Sequence, residues 1–121
     1  MSDQVFTQQY LMELCKNLPS KHIIILKFTA AWCGPCATIK PLCDAFIKNK
    51  PNNILYFEID IDNSLDLYIK LKKYKILNGI PALLAYYPGE REHWYVSDDC
   101  QLDSNKDGVI QFFNRCLNYV K

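Results

Sequence analysis

Segments of helical and strand-like hydrophobic pattern follow one another along the chain. Apolar residues at helical spacing predict helices over residues 7–18, 35–49, 64–73 and 108–120. Runs of apolar and β-branched residues predict strands over residues 22–29, 54–60 and 82–87, with shorter strands at 4–6 and 94–96. The run Ile23-Ile24-Ile25-Leu26 is apolar at every position, which is typical of a central strand covered on both faces. Alternating helices and strands predict an α/β fold.

Length and composition predict one domain of ordinary size. The chain has 121 residues, of which 50% are hydrophobic, so we expect a single domain over residues 1–121 with a substantial core. The formal net charge of +1 gives no strong field that would attract nucleic acid or a membrane surface. The first residues show no secretory signal, and no apolar run approaches the roughly 20 residues that span a bilayer. We therefore expect a cytoplasmic protein in a reducing compartment.

The most informative segment is Trp32-Cys33-Gly34-Pro35-Cys36, which lies between a predicted strand and a predicted helix. Two cysteines separated by two residues at such a junction are a redox arrangement. Positions three apart on a helix are neighbours, with Cβ atoms about 5–6 Å apart, and bridged Cα atoms usually lie about 4.4–6.8 Å apart. A disulfide can therefore form between the two thiols with little backbone movement.

The start of the predicted helix favours a reactive thiolate at Cys33. Backbone N–H groups at a helix N-terminus lack intrahelical partners and carry partial positive charge, which lowers the pKa of a thiol from about 8.5 towards neutrality. Pro35 suits the first helical turn because its missing N–H is not needed there. Gly34 has no side chain, so another chain can approach the sulfur.

A zinc site or a structural disulfide is the alternative interpretation of the same two cysteines. A zinc site needs two further Cys or His ligands at close spacing. His22 and His93 do not form such a pair, and the sequence contains no second CxxC. We therefore favour redox chemistry and predict no metal ligands.

Two segments resemble the signatures of the thioredoxin family. Residues 30–36, AAWCGPC, resemble its active-site signature, and residues 78–84, NGIPALL, resemble the segment that holds a cis proline facing the active-site disulfide. The resemblance covers nearly the whole chain and is weakest in the last quarter. It implies a thioredoxin fold, with a central mixed β-sheet flanked by helices on both faces and a cis peptide bond before Pro81.

The resemblance also implies a reaction, the reduction of protein disulfides by dithiol–disulfide exchange. Cys33 would attack the substrate disulfide, and Cys36 would then attack Cys33 and release the reduced substrate. Disulfide-containing proteins would be the substrates, and no cofactor would be bound. Electrons would come from a NADPH-dependent flavin enzyme, a thioredoxin reductase. We expect a monomer that binds neither nucleic acid nor membranes.

Five residues around the two cysteines are expected to shape this reaction. By resemblance, Trp32, Ile80 and Pro81 would form the docking surface for an extended segment of substrate, because the backbone of Ile80 can pair with it as a short strand does. Gly34 and Pro35 would help to set the reduction potential, and Pro35 suits a reductant more than an oxidase or isomerase.

Lys27 departs from the family pattern, because most thioredoxins have a buried Asp six residues before the first active-site cysteine, where it helps to deprotonate the second cysteine. A buried lysine has a lowered pKa unless an acid pairs with it, and Glu58 is the candidate partner. Alternatively, the Lys27 head reaches solvent at the end of the sheet. A cationic Lys27 near the sulfurs would favour thiolates and raise the reduction potential, whereas a neutral Lys27 would accept the proton of Cys36.

The other four cysteines are not predicted to take part in the reaction. Cys15, Cys43 and Cys116 lie on the apolar stripes of predicted helices, so we expect them to be buried. Cys100 is the expected exposed thiol, either inert or able to form mixed disulfides. Cys100 is the last residue of the acidic segment 97–100, which we expect to form the loop after the edge strand. Thioredoxins usually have a small glycine-containing loop at that place.

Acidic residues in two turns offer metal ligands in principle. Asp60 and Asp62 lie at a strand end near a turn, where a capping or solvated role is commoner. Residues 103–108 match half of a calcium loop, but its twelfth position is Asn114 instead of Glu. We therefore predict a turn there, with Asp107 near the N-cap of the last helix.

Two alternatives to a disulfide reductase remain at this stage. A thioredoxin-fold binding module with little turnover would fit the loss of the Asp at position 27 and the altered 97–100 segment. A disulfide isomerase would refold scrambled proteins better than it reduces them.

Overall fold

The chain is described by a computed structural model over residues 5–121. The helices in this range are α1 (Gln8–Lys16), α2 (Gly34–Asn49), α3 (Leu65–Lys73) and α4 (Lys106–Tyr119). The strands are β1 (Ile23–Thr29), β2 (Ile54–Asp60), β3 (Ala82–Tyr86) and β4 (Asp99–Gln101). None of the helices within residues 5–121 has both the length and the apolar character needed to cross a membrane.

The strands form a mixed sheet in the order β2-β1-β3-β4. β1 is parallel to β2, and this pairing requires a crossover connection, which contains α2. β3 is antiparallel to β1, and β4 is antiparallel to β3. Phe28 near the end of β1 pairs with Ala82 at the start of β3. This register brings the two signature segments to the same end of the sheet.

Helices cover both faces of the sheet, because alternate residues of β1 point in opposite directions. Ile24 and Leu26 belong to a core that includes side chains of α1 and α3. Ile23 and Ile25 belong to a second core that includes side chains of α2 and α4. The expected α/β fold, a mixed sheet between two layers of helices, is confirmed.

The strand predicted at 94–96 is wrong, because the edge strand of the sheet is β4. Residues 94–96 belong instead to a loop that Arg91 closes. Arg91 Nη2 donates to the Tyr87 carbonyl at 3.0 Å and to Asp98 Oδ2 at 2.8 Å. The Tyr95 carbonyl accepts a hydrogen bond from Tyr86 Oη at 3.1 Å rather than from a neighbouring strand.

This shift also corrects the position predicted for the loop that follows the edge strand. Asp99 and Cys100 lie within β4, so the loop after the edge strand covers residues 102–105 rather than 97–100. That loop leads into α4, whose N-cap is Asn105; its side chain accepts from the Gly108 N–H at 2.8 Å. Asp107 lies in the first turn, so residues 103–108 form the turn and helix start that we predicted.

The strand predicted at 4–6 lies partly outside the described residues, since Gln4 is not described, and Val5 and Phe6 belong to no strand. The Phe6 N–H donates to Ser64 Oγ at 2.8 Å. Ser64 is the N-cap of α3, as predicted, but its hydroxyl is used by Phe6 and makes no capping bond. The other predicted helices and strands are confirmed to within a few residues at each end.

Candidate active site

Cys33 and Cys36 lie where the chain leaves β1 and begins α2. Cys33 is the N-cap of α2, and its Sγ accepts a hydrogen bond from the Cys36 N–H at 3.2 Å. The two cysteines are joined by a disulfide, with 5.3 Å between their Cα atoms, and both are buried. Pro35 occupies the first turn of the helix, as its missing N–H allows. The expected disulfide-forming pair at a helix N-terminus is confirmed.

The second signature segment meets the first at the disulfide. The peptide bond between Ile80 and Pro81 is cis, as the resemblance implied. The Ile80 carbonyl oxygen lies 3.9 Å from Cys33 Sγ. Pro81 is buried and Ile80 is half-buried.

Trp32 is the most exposed large apolar side chain near the disulfide, with 67% of its surface accessible. Its Nε1 donates to Asp62 Oδ2 at 3.0 Å, which fixes the ring beside the active site. Asp60 Oδ1 accepts from the Asp62 N–H at 2.8 Å, so the predicted capping role of Asp60 is confirmed. The contact between Asp62 and Trp32 has no signal in the sequence, because 30 residues separate the two.

A groove of about 980 Å³ runs from the two cysteines along β2. Its polar lining includes Lys27, Tyr56 and Glu58. Tyr56 and Glu58 are two positions apart on β2 and therefore point to the same face of the sheet. This alternation of side chains is the sequence signal that could have placed Tyr56 in the groove. The Tyr56 hydroxyl is buried beside the Cys43 thiol, and burial raises its pKa well above the ordinary value.

Lys27 is buried in the sheet, with 2% of its side chain exposed, and pairs with Glu58 as predicted. Lys27 Nζ lies 3.3 Å from Glu58 Oε2, and the two residues are register neighbours on β1 and β2. The alternative in which the Lys27 head reaches solvent is wrong, because the parallel pairing places a carboxylate within its reach. The Glu58 side chain is 48% exposed, so the pair joins a buried ammonium group to a carboxylate that is in contact with solvent.

The other four cysteines lie away from the disulfide. Cys15, Cys43 and Cys116 are buried, as predicted, and burial raises the pKa of each thiol. Cys100 is exposed, as predicted, yet partial burial and the neighbouring Asp99 raise the pKa of its thiol too. A raised pKa leaves little thiolate, which favours the inert role for Cys100 over mixed-disulfide formation.

Within the described part of the chain, residues 5–121, no group of three or more His, Cys, Asp or Glu side chains is arranged to hold a metal ion. Asp60 and Asp62 are engaged with each other and with Trp32.

Comparison with known proteins decides the family. The model of the thioredoxin family matches residues 3–114. The chain belongs to the thioredoxin family. It is 34% identical over 82 residues to a thioredoxin of Coprinus comatus, covering 67% of this chain and 74% of that one. It is 37% identical over 86 residues to a putative thioredoxin-5 of Dictyostelium discoideum, covering 69% and 73%.

Solved structures agree on the thioredoxin fold. The chain superposes on the thioredoxin of Plasmodium falciparum with a TM-score of 0.65 at 19% identity, covering 93% of this chain and 97% of that one. With a thioredoxin of Fasciola hepatica the TM-score is 0.59 at 22% identity, covering 79% and 82%. Membership of the family, together with the Cys33–Cys36 disulfide, makes this chain a thiol–disulfide oxidoreductase. A binding module with little turnover is not favoured.

Proposed function

We propose that this thioredoxin reduces protein disulfides with Cys33 as the nucleophile and Cys36 as the resolving thiol. The Cys33 thiolate attacks one sulfur of the substrate disulfide, forms a mixed disulfide and releases the other substrate sulfur as a thiolate. Cys36 then attacks Cys33, which frees the second substrate sulfur and closes the Cys33–Cys36 disulfide. Two electrons pass from the protein to the substrate.

The position of Cys33 is the observation that carries this proposal. Its sulfur caps α2 and lies 3.9 Å from the Ile80 carbonyl, where an extended substrate would pair with the backbone of Ile80. Trp32 and Pro81 border the same place and complete the docking surface. Cys36 lies within the first turn of α2, behind Cys33, which suits attack on Cys33 rather than on the substrate.

Three residues are proposed to set the reduction potential. Gly34 and Pro35 form the exposed link between the cysteines, and an ideal Cβ added to Gly34 would meet no atom within 4 Å. Gly34 therefore leaves space for a partner's chain rather than for the protein's own packing. Lys27 places a positive charge in the groove that the two cysteines line.

The partners follow from family membership. Disulfide-containing proteins are the substrates, and a thioredoxin reductase is the electron donor that the family implies. We propose that this donor is a flavin enzyme that draws on NADPH. We also propose that the protein works as a single-domain monomer in the cytoplasm, without nucleic acid, a membrane or a bound cofactor.

Insulin reduction tests the proposal. The wild-type protein, supplied with dithiothreitol, should accelerate precipitation of the insulin B chain at least tenfold over dithiothreitol alone. Cys33→Ser should abolish the acceleration because it removes the nucleophile. Reduced Cys36→Ser, mixed with insulin after dithiothreitol has been removed, should accumulate a mixed disulfide with insulin that is visible by non-reducing electrophoresis. Cys100→Ser is the matched control and should match the wild type.

Two outcomes would contradict the assignment. Turnover that survives Cys33→Ser would place the nucleophile elsewhere. A wild-type protein that refolds scrambled ribonuclease faster than it reduces insulin would be an isomerase. Reduction by NADPH and a purified flavin thioredoxin reductase, in place of dithiothreitol, tests the electron source separately.

A further inference from the structure

Among residues 5–121, Lys27 is the one charged side chain that is buried, and no step of the exchange uses it directly. Its partner Glu58 lies 3.3 Å away and is about half exposed. Water screens an exposed charge much more than a buried one. The pair therefore leaves a net positive potential on its buried side, although its formal charges cancel.

The buried side of the pair faces α2. Lys27 and Cys36 line the same groove, as does Glu58. Burial raises the pKa of the Cys43 thiol, seven residues beyond Cys36 on the buried side of α2, and the positive charge of Lys27 acts against that rise. The Lys27 ammonium is thus close enough to α2 to act on a thiol there.

The other charged and titratable groups around Lys27 include both buried and exposed side chains. They come from β2 and α2 and are Tyr56, Asp60, Lys40, Cys43 and Asp44. Lys40 and Asp44 pair with each other at 3.0 Å on the exposed face of α2, so their charges largely cancel. β3 contributes the apolar neighbour Leu83, which pairs in register with Lys27.

We propose that Lys27 stabilises the thiolate of Cys36 and that Glu58 moderates this effect. The inference rests on the proposed exchange, in which Cys36 must lose its proton before it attacks the mixed disulfide. The Cys36 thiol gives that proton to water in the groove. Its sulfur forms a bond to Cys33, and the bond from Cys33 to the substrate sulfur breaks. The substrate sulfur leaves with the electron pair and takes a proton from water.

Opposite shifts in two variants test the inference. Lys27→Met keeps an unbranched side chain only one atom shorter and removes its charge, so the apparent pKa of Cys36 should rise by about one pH unit, the effect of a charge several ångströms away in a partly shielded site. Glu58→Gln removes the moderating anion, so this pKa should fall by a smaller amount. Site-resolved alkylation of the reduced protein at a series of pH values, read by mass spectrometry, measures both.

The equilibrium with glutathione gives a second readout. A less stable thiolate weakens the reduced form, so Lys27→Met should shift the equilibrium toward the Cys33–Cys36 disulfide and make the protein a stronger reductant. Glu58→Gln should shift it toward the dithiol and make the protein a weaker reductant. A tenfold change in the equilibrium constant corresponds to about 30 mV. Lys48→Met, which removes an exposed lysine near the far end of α2, should change neither readout.

A purely structural role for the pair predicts a different result. Both variants would then lower the free energy of unfolding without moving the Cys36 titration in opposite directions. Shifts in the same direction, or no shift with normal insulin turnover, would overturn the role of Lys27 and leave the exchange intact. Absence of insulin turnover in the wild type would reject the exchange itself.

Discussion

Cys33 and Cys36 share one disulfide but have different surroundings. Cys33 is the N-cap of α2 and lies beside the Ile80 carbonyl, at the point where the second signature segment meets the first. Cys36 lies within the helix and lines the groove with Lys27. Under the proposed exchange, the helix N-terminus acts on the first thiol and the buried charge pair on the second, so that one thiol meets the substrate and the other releases it.

Burial of a thiol in the core has a consequence for stability at alkaline pH. Burial, with a contribution from Asp99, raises the pKa of Cys116 to about 12, against an ordinary value of 9.0. The thiol ionises in the unfolded chain before it does so in the folded one. The contribution of the neutral Cys116 thiol to stability is therefore fully present below about pH 9. Above that pH, ionisation of this thiol in the unfolded chain should lower the free energy of unfolding by about 1.4 kcal/mol per pH unit.

Urea denaturation with reductant present, from about pH 7.5 to about pH 10.5, measures this loss. Cys116→Ala should be less stable at neutral pH because it leaves a cavity, but its stability should fall less steeply with pH. Cys100→Ala is the control, since Cys100 is exposed, and should keep most of the wild-type slope. An unchanged slope in Cys116→Ala would contradict the assignment of this pKa.

At the scale of elements, the loop between β3 and β4 depends on Arg91. Its guanidinium lies 5.1 Å above the ring of Tyr86, and its Nη2 bonds to the Tyr87 carbonyl and to Asp98. Asp98 also accepts from the Tyr87 N–H at 2.7 Å. One partly buried ion pair thus ties together both ends of a loop that has no strand pairing of its own.

Arg91→Met should open this loop and destabilise the protein. We expect a loss of about 2–3 kcal/mol, because hydrogen bonds to a charged group are lost and Asp98 is left with fewer partners. Limited proteolysis should then cut within residues 87–98, and thermal unfolding should report the loss. Arg115→Met is the matched control; its pair with Asp99 is half exposed on the arginine side and should cost about 1 kcal/mol or less. Equal losses in the two variants would contradict the special role of Arg91.

At the scale of the whole molecule, the mixed sheet assembles the site. β1 ends where antiparallel β3 begins, so Cys33 and Pro81 meet although nearly half the chain separates them. The parallel neighbour β2 brings Glu58 beside Lys27 in register. The chemistry therefore depends on the topology of the sheet as much as on the CxxC motif.

The sequence predicted the parts of this arrangement that have a local signal. The apolar stripes of the helices, the strand 54–60 and the CxxC at a helix start follow from spacing alone, and the cis bond before Pro81 follows from resemblance. The prediction of an edge strand at 94–96 is wrong because Trp94 and Tyr95 have high strand propensity but belong to a loop, from which they pack against the core. β4 itself, Asp99–Gln101, is short and polar, so it has almost no hydrophobic signal.

Polar contacts between residues far apart in the chain also have no signal in the sequence. The bonds from Trp32 to Asp62 and from Phe6 to Ser64 join residues that are 30 and 58 positions apart. Lys27 with Glu58 was predictable only because adjacent parallel strands fix their register.

A redox titration of the two active-site sulfurs tests the central claim most directly. The protein is equilibrated in glutathione buffers of graded ratio, alkylated, and analysed by mass spectrometry of peptides. We predict that Cys33 and Cys36 become protected from alkylation together as the buffers become more oxidising, in one reversible two-electron transition, while Cys15, Cys43 and Cys116 show no such transition. A pair that stays fully reduced or fully oxidised across the series, or a transition at other cysteines, would contradict the account.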